Sequence, residues 1–259
     1  MKLAQRSPLF WPLVPWLDQL PDWPDAEAVA ALAVRCPVYT ASGQAVRFVP
    51  PQADGLAYEC RVWEKGEVET RPDNWHDFFN ALIWFAFPET KRAITAVHVS
   101  AMQKPGEARG MTRDALTHFD ECGIVVLSCR PDLLALLRDF QWRELFVTQR
   151  AAVRACMRFV VFGHATYEAL LTPFRGLTAK GILYEVSDEW LAQLPAAQLQ
   201  DIDQRLAADL VSGHYQRPRD FQPLPLLGIP GLTPENEDPA YYDDTDQFRP
   251  GRRGAAKAL

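Results

Sequence analysis

The chain has 259 residues, 48% of them hydrophobic, and a net charge of −6. That is long for one domain and short for two, and a chain of this size buries roughly three quarters of its surface on folding without needing disulfides. The negative balance disfavours indiscriminate binding to phosphate backbones. The five cysteines (Cys36, Cys60, Cys122, Cys129 and Cys156) are scattered with no CxxC pair, which argues against a zinc ribbon or a disulfide framework and suits a reducing cytoplasm.

Residues 1–24 read as an irregular arm of tryptophans and prolines. Pro8, Pro12 and Pro15 interrupt its apolar run, unlike a signal peptide. No later segment has the length and apolarity of a membrane span, so a soluble cytoplasmic protein with no membrane partner is expected. "DAEAVAALAVR" (25–35) has helical composition, and "PVYTASGQAVRFV" suggests two short strands around Ser42-Gly43. In "AYECRVWEKGEVET" Tyr58, Cys60 and Val62 alternate with Glu59, Arg61 and Trp63 up to Lys65-Gly66, the pattern of a hairpin.

Helices are expected over 74–87, from Pro88 to Met102, and from Thr112 (as N-cap) to a stop at Gly123. A buried strand follows near 124–129. The run from Trp142 reads as one long helix that bends or ends at Gly163. A strand is expected near 181–186 and a helix closed by Gly213. The proline-rich stretch 214–250 carries Leu224, Leu226, Leu227 and Ile229 and should lie along the body, with 251–259 a disordered basic tail. The expectation is α+β: a mainly helical single domain over 25–213, with a small mixed sheet from the early hairpins and two later strands.

The chemistry gathers on a few helical faces. His76, Asp77, Asn80 and Trp84 fall within an arc of about 100°, opposite Phe78, Phe79 and Leu82. A solvated polar edge is the usual meaning of such an arc. Trp84 and Phe87 share it, however, which argues for partial cover, and covered polar groups need partners. On the third helix Arg113, Asp114, Thr117 and Glu121 share a face with Asp120 at its margin, which by itself reads as an ion-paired surface strip. His164 lies either on the core side of a continuing helix or, if Gly163 starts a new one, in a first turn whose free N–H groups favour anions. His98 alone reads as a structural histidine.

Together these residues supply the imidazoles and carboxylates that bind zinc, manganese or iron. His76, Asp77, Asp120 and His164 are the expected ligands, with His98 a weaker member. His76, Asp77, Glu121 and His164 are the expected catalytic groups, activating metal-bound water for hydrolysis. Asn80, Lys91, Arg113 and Lys180 would hold a small, anionic substrate. The spacing is not HExxH, and GxSxG, Walker and dinucleotide motifs are absent. An acid–base enzyme without a cofactor needs only a histidine–carboxylate pair. A different class is suggested by Arg143, Arg150, Arg154 and Arg158 on one face of the helix from Trp142. They are either a solvated face or a surface for nucleic acid or an acidic partner, although that face lacks the aromatics of a single-strand reader.

Five segments, "GEVETRPDNWHDFFNALIWFAFPETKRAI", "RDALTHFDECG", "FGHATYEALL", "GLTAK" and "LPLLGIPGLTPENEDPAYYDDTDQFRP", resemble the bacterial domain-of-unknown-function family numbered 3025. The likeness runs from about Arg35 to Pro250. The resemblance implies no activity. It implies that His76, Asp77, Asn80, Trp84, Lys91, Arg113, Asp120, Glu121, His164, Lys180 and the Asn236–Pro239 run belong to the family pattern, with His98 less clearly so. It also implies that residues 223–250 fold onto the body.

Overall fold

The computed structural model describes residues 2–3, 6–102 and 107–251, with backbone alone for 107–109. Its helices are α1 (Val14–Leu17), α2 (Ala26–Arg35), α3 (Tyr58–Lys65), α4 (Trp75–Ala86), α5 (Pro88–Met102), α6 (Glu107–Cys122), α7 (Pro131–Arg138), α8 (Arg150–Cys156), α9 (His164–Ala169), α10 (Asp188–Leu191) and α11 (Pro195–Ser212). Its strands are β1 (Arg47–Val49), β2 (Glu67–Glu69), β3 (Gly123–Ser128), β4 (Met157–Val161), β5 (Thr178–Glu185) and β6 (Gln222–Pro225). This is an α+β chain, mainly helical, with small sheets. No described helix is long and apolar enough to cross a membrane.

The helix ends follow local chemistry. The Asn74 side chain accepts from Asp77 N at 2.9 Å to start α4, and Asp25 accepts from Ala28 N at 2.9 Å to start α2. Pro195 opens α11, and Gly213, with φ of 81°, closes it. Asp203 of α11 accepts from Glu89 N and Thr90 N at 2.9 and 2.8 Å, so α11 caps α5 from outside its own sequence.

The main sheet has the order β4-β3-β5-β6. Its centre, β3, is buried along its whole length. It runs antiparallel to β4 and parallel to β5, with Val125 opposite both Val160 and Ile182. Aromatic stacking ties helices to this sheet: the Phe119 ring lies 5.2 Å from Phe162 and 5.1 Å from Phe221.

The early hairpins do not build this sheet. Residues 58–65 are helix α3, closed by Gly66 at φ 67°, and the flanking β1 and β2 form a separate parallel pair. The alternation misleads because α3 buries Arg61 and Val62 together, with the guanidinium inside an acidic ring of Asp54, Glu67 and Glu69. Over 37–49 the paired strands shrink to a bridge between Tyr39 and Ala45, plus β1. The long helix from Trp142 is also broken: a π-helical turn over 144–148, then α8, then strand β4, then α9. The run at 157–161, which ends in Phe159, Val160 and Val161, is taken by the free edge of β3. Helix α6 runs on the N-terminal side of Thr112, and Gly123 opens β3 directly instead of ending the helix in a turn.

The arm winds into a 3-10 turn over Pro8–Leu13 followed by α1. It buries Leu9, Phe10 and Leu13 and ties Trp11 Nε1 to Phe159 O at 3.3 Å. After α11 the chain adds β6 to the sheet edge, and 3-10 turns follow, with Leu224, Leu226, Ile229, Tyr242 and Phe248 buried. The expected basic tail at 251–259 lies, from residue 252 on, outside the described residues.

Candidate metal centre

Three elements deliver one side chain each to a common point: His76 from the first turn of α4, Glu121 from the last turn of α6 and His164 as the first residue of α9. Asp77 orients the first of these. It is gripped by Arg71 through the backbone N at 2.8 Å, Nε at 2.7 Å and Nη2 at 2.8 Å. Its Oδ1 lies 3.3 Å from His76 Nδ1. An ionised Asp77 can only accept, so Nδ1 donates and Nε2 is turned the other way. There it meets Glu121 Oε2 at 3.1 Å.

The same oxygen lies 3.5 Å from His164 Nε2. The two imidazoles sit edge to face, with ring centroids 4.4 Å apart. One ligand atom from each of His76, Glu121 and His164 falls within 4.8 Å of the others. Tetrahedral coordination at ligand distances of about 2.0–2.1 Å sets donor atoms roughly 3.3 Å apart. The observed 3.1 and 3.5 Å straddle that spacing.

The electrostatics fit a cation. The His76 pKa is raised, chiefly by its hydrogen bond to Glu121 and against the effect of burial. The Glu121 carboxyl is held far below its ordinary value by hydrogen bonds from His164 and His76, despite partial burial. His164 is 3% exposed and its Nδ1 has no hydrogen-bond partner among the described residues; Asp120 Oδ2 is 4.0 Å away.

Asp77 and Asp120, expected as ligands, are engaged elsewhere. Asp77 belongs to Arg71. Burial works to raise its pKa, but the Arg71 and His76 contacts prevail and lower it. Asp120 receives the buried Lys91 ammonium at 2.8 Å on both oxygens. Its carboxyl too is lowered, with burial outweighed by Lys91 and His164. Glu121, expected to act in catalysis and not as a ligand, is the carboxylate that joins the two histidines.

The three donor atoms line a cleft of about 440 Å³. Asn80 and His98 line it as well. Asn80 accepts from Lys91 Nζ at 2.9 Å and donates to Tyr58 OH at 3.1 Å. His98 is buried apart from the three-residue cluster, with an unpartnered Nδ1, and burial pushes its pKa down to about 4. Lys91, neutralised by Asp120, is no free anchor for an anion. Lys180 opens instead into a separate hollow beside Phe140, Trp142 and Phe221. Arg113 is not among the lining residues, although its charge reaches Glu59 and His98. Sequence reasoning missed Tyr58, Glu59 and Glu69, because residues 57–70 read as a hairpin with no concave side, and it missed Arg71 just beyond them.

The arginine stripe finds its acidic partner within the chain. Arg143 Nη1 contacts Asp243 at 2.6 Å and Pro239 O at 2.9 Å, Arg150 donates to Asn236 Oδ1 at 2.9 Å, and Arg154 meets Glu237 at 2.8 Å. Arg158 lies on β4, off that helix.

Among known proteins, a family model described as "Protein of unknown function (DUF3025)" matches residues 46–252. No curated protein and no solved structure matches the chain. The match covers most of the chain, which therefore belongs to the DUF3025 family.

Proposed function

We propose that this member of the DUF3025 family is a divalent-metal-dependent enzyme of hydrolytic type, with His76, Glu121 and His164 as the ion's protein ligands. The observation that carries the reading is the approach of both histidine Nε2 atoms to one Glu121 oxygen, at 3.1 and 3.5 Å. The Arg71–Asp77–His76 chain behind it is the arrangement by which ligand histidines are oriented and made more basic. His76, Glu121 and His164 would hold the ion and leave it open to water, which zinc would acidify toward neutrality. The adjoining cleft gives room for a small polar substrate.

The same donor set also serves non-haem iron, so the identity of the metal separates hydrolysis from oxygen chemistry. The test is elemental analysis of protein purified without an affinity metal column, followed by calorimetric titration with zinc, manganese and ferrous ion. One ion per chain is expected, with binding lost in His76→Ala, Glu121→Ala and His164→Ala. Folded protein that takes up none of the three ions sinks the proposal. The Asp77–His76–Glu121 row would then act as an acid–base relay without a metal.

A further inference from the structure

Five carboxylates line the cleft, and four of them are committed. Asp77 is held by Arg71, Asp120 by Lys91, and Glu121 by the two histidines, while Glu69 lies 3.1 Å from the buried Arg61 guanidinium. Glu59, half-buried on α3, has no ion pair among the described residues. Around it stand Tyr58 on its own helix, Lys91, Thr95 and His98 of α5, and Arg113 and Asp120 of α6. Glu67 and Glu69 of β2 are both paired with Arg61.

We propose that Glu59 is the proton-transfer residue of this cleft, a general base toward attacking water and then a general acid toward the leaving group. The assignment rests on the hydrolytic reading above. For an ester, the water oxygen bonds to the acyl carbon while one of its protons passes to the Glu59 carboxylate. The acyl–oxygen bond then breaks, the same proton moves to the departing alkoxide, and an acid and an alcohol are released with Glu59 regenerated.

Two features single out Glu59. A proton carrier must be free of a direct ion pair, and among the described residues Glu59 alone of the five is. It must also exchange protons near neutrality. Burial first, then the charge of Asp120, push its carboxyl up to about 7 against the pull of Lys91 and Arg113.

The test pairs two readouts. Carboxyl ¹³C NMR of metal-free protein should show one glutamate titrating near neutrality and missing from Glu59→Gln. If Glu59 titrates in the ordinary carboxylate range, the assignment is overturned whether or not a metal binds. The second readout is hydrolysis of 4-nitrophenyl acetate by zinc-loaded protein across pH 5–9. Glu59→Gln should keep its zinc and its fold, lose about 100-fold or more in rate, and lose the limb near neutrality, with Glu59→Asp recovering part of the rate. An unchanged rate and profile in Glu59→Gln, or zinc-loaded wild type with no turnover, overturns the catalytic role. Absence of zinc binding, by contrast, sinks the metal reading while the NMR titration still decides whether Glu59 carries a proton.

Discussion

A Cβ placed on Gly163 would lie 2.4 Å from the carbonyl oxygen of Glu121. The backbone at the start of α9 is pressed against the end of α6, and Gly163 N donates to Gly123 O at 2.8 Å across the same junction. The φ of Gly163, −63°, is open to any residue, so space and not conformation demands glycine here. This contact sets the distance between Glu121 and His164, which follow it by no more than one residue on either side.

Gly163→Ala is therefore expected to separate the two ligands. Stability should fall by about 1–3 kcal/mol in urea, and zinc affinity by roughly tenfold or more in calorimetry. Gly176→Ala is the control. Its φ of 85° strains alanine, but nothing stands within 4 Å. That variant should lose stability while keeping its zinc affinity.

Lys91→Met should be among the most damaging polar substitutions. Lys91 is 3% exposed, and its removal leaves the half-buried Asp120 carboxylate without its ammonium partner. Urea unfolding of the metal-free variant should show a loss of about 3–5 kcal/mol. Lys91→Met combined with Asp120→Leu should recover most of it, because the isolated buried charge is then gone.

His98 gives the metal-free protein an acid limb. Its folded pKa of about 4 lies below the ordinary histidine value, so between those two pH values the unfolded chain binds the extra proton. The contribution of His98 to stability therefore falls as pH drops from about 6.5 to 4 and levels off below. Replacing His98 with Gln should flatten that limb by roughly 1–3 kcal/mol. Parallel urea titrations at pH 7 and 4.5 measure the difference. Equal slopes for wild type and variant would show that His98 is not buried neutral.

Asn236→Ala should loosen residues 230–250. The Asn236 side chain is 1% exposed and donates to Leu227 O and Ile229 O at 2.8 Å each while accepting from Arg150. About 2 kcal/mol should be lost, with new cleavage in this segment under limited proteolysis. Arg143→Ala removes only an exposed ion pair and an exposed hydrogen bond to Pro239 O and should cost about 1 kcal/mol or less.

The elements that could be read from sequence are those whose caps and periodicity agree. Helix α4 has Asn74 as cap and a strong apolar face; α11 has a proline at its start and Gly213 at its end. Residues 58–65 and 157–161 were misread because their patterns fit both periods. What decides them is tertiary: the buried Arg61 in one case, the open edge of β3 in the other. At the site, His76, Glu121 and His164 could be named from residue type alone. Which carboxylate joins them could not. Asp77 and Asp120 are withdrawn by Arg71 and Lys91, and those pairings appear only once α4, α5 and α6 pack together.

The placement of β6 bears on how the protein is made. Synthesis delivers residues 222–225 after every other strand of the main sheet, and about forty residues after β5. Until they leave the ribosome, β5 presents an unpaired edge, the kind of template that draws strands from other chains. A message broken or stalled between the codons for β5 and β6 would thus yield a nascent chain that already holds His76, Glu121 and His164 yet is prone to aggregate. Fusing a reporter after residue 190 or after residue 251 and comparing the soluble yields would expose that window.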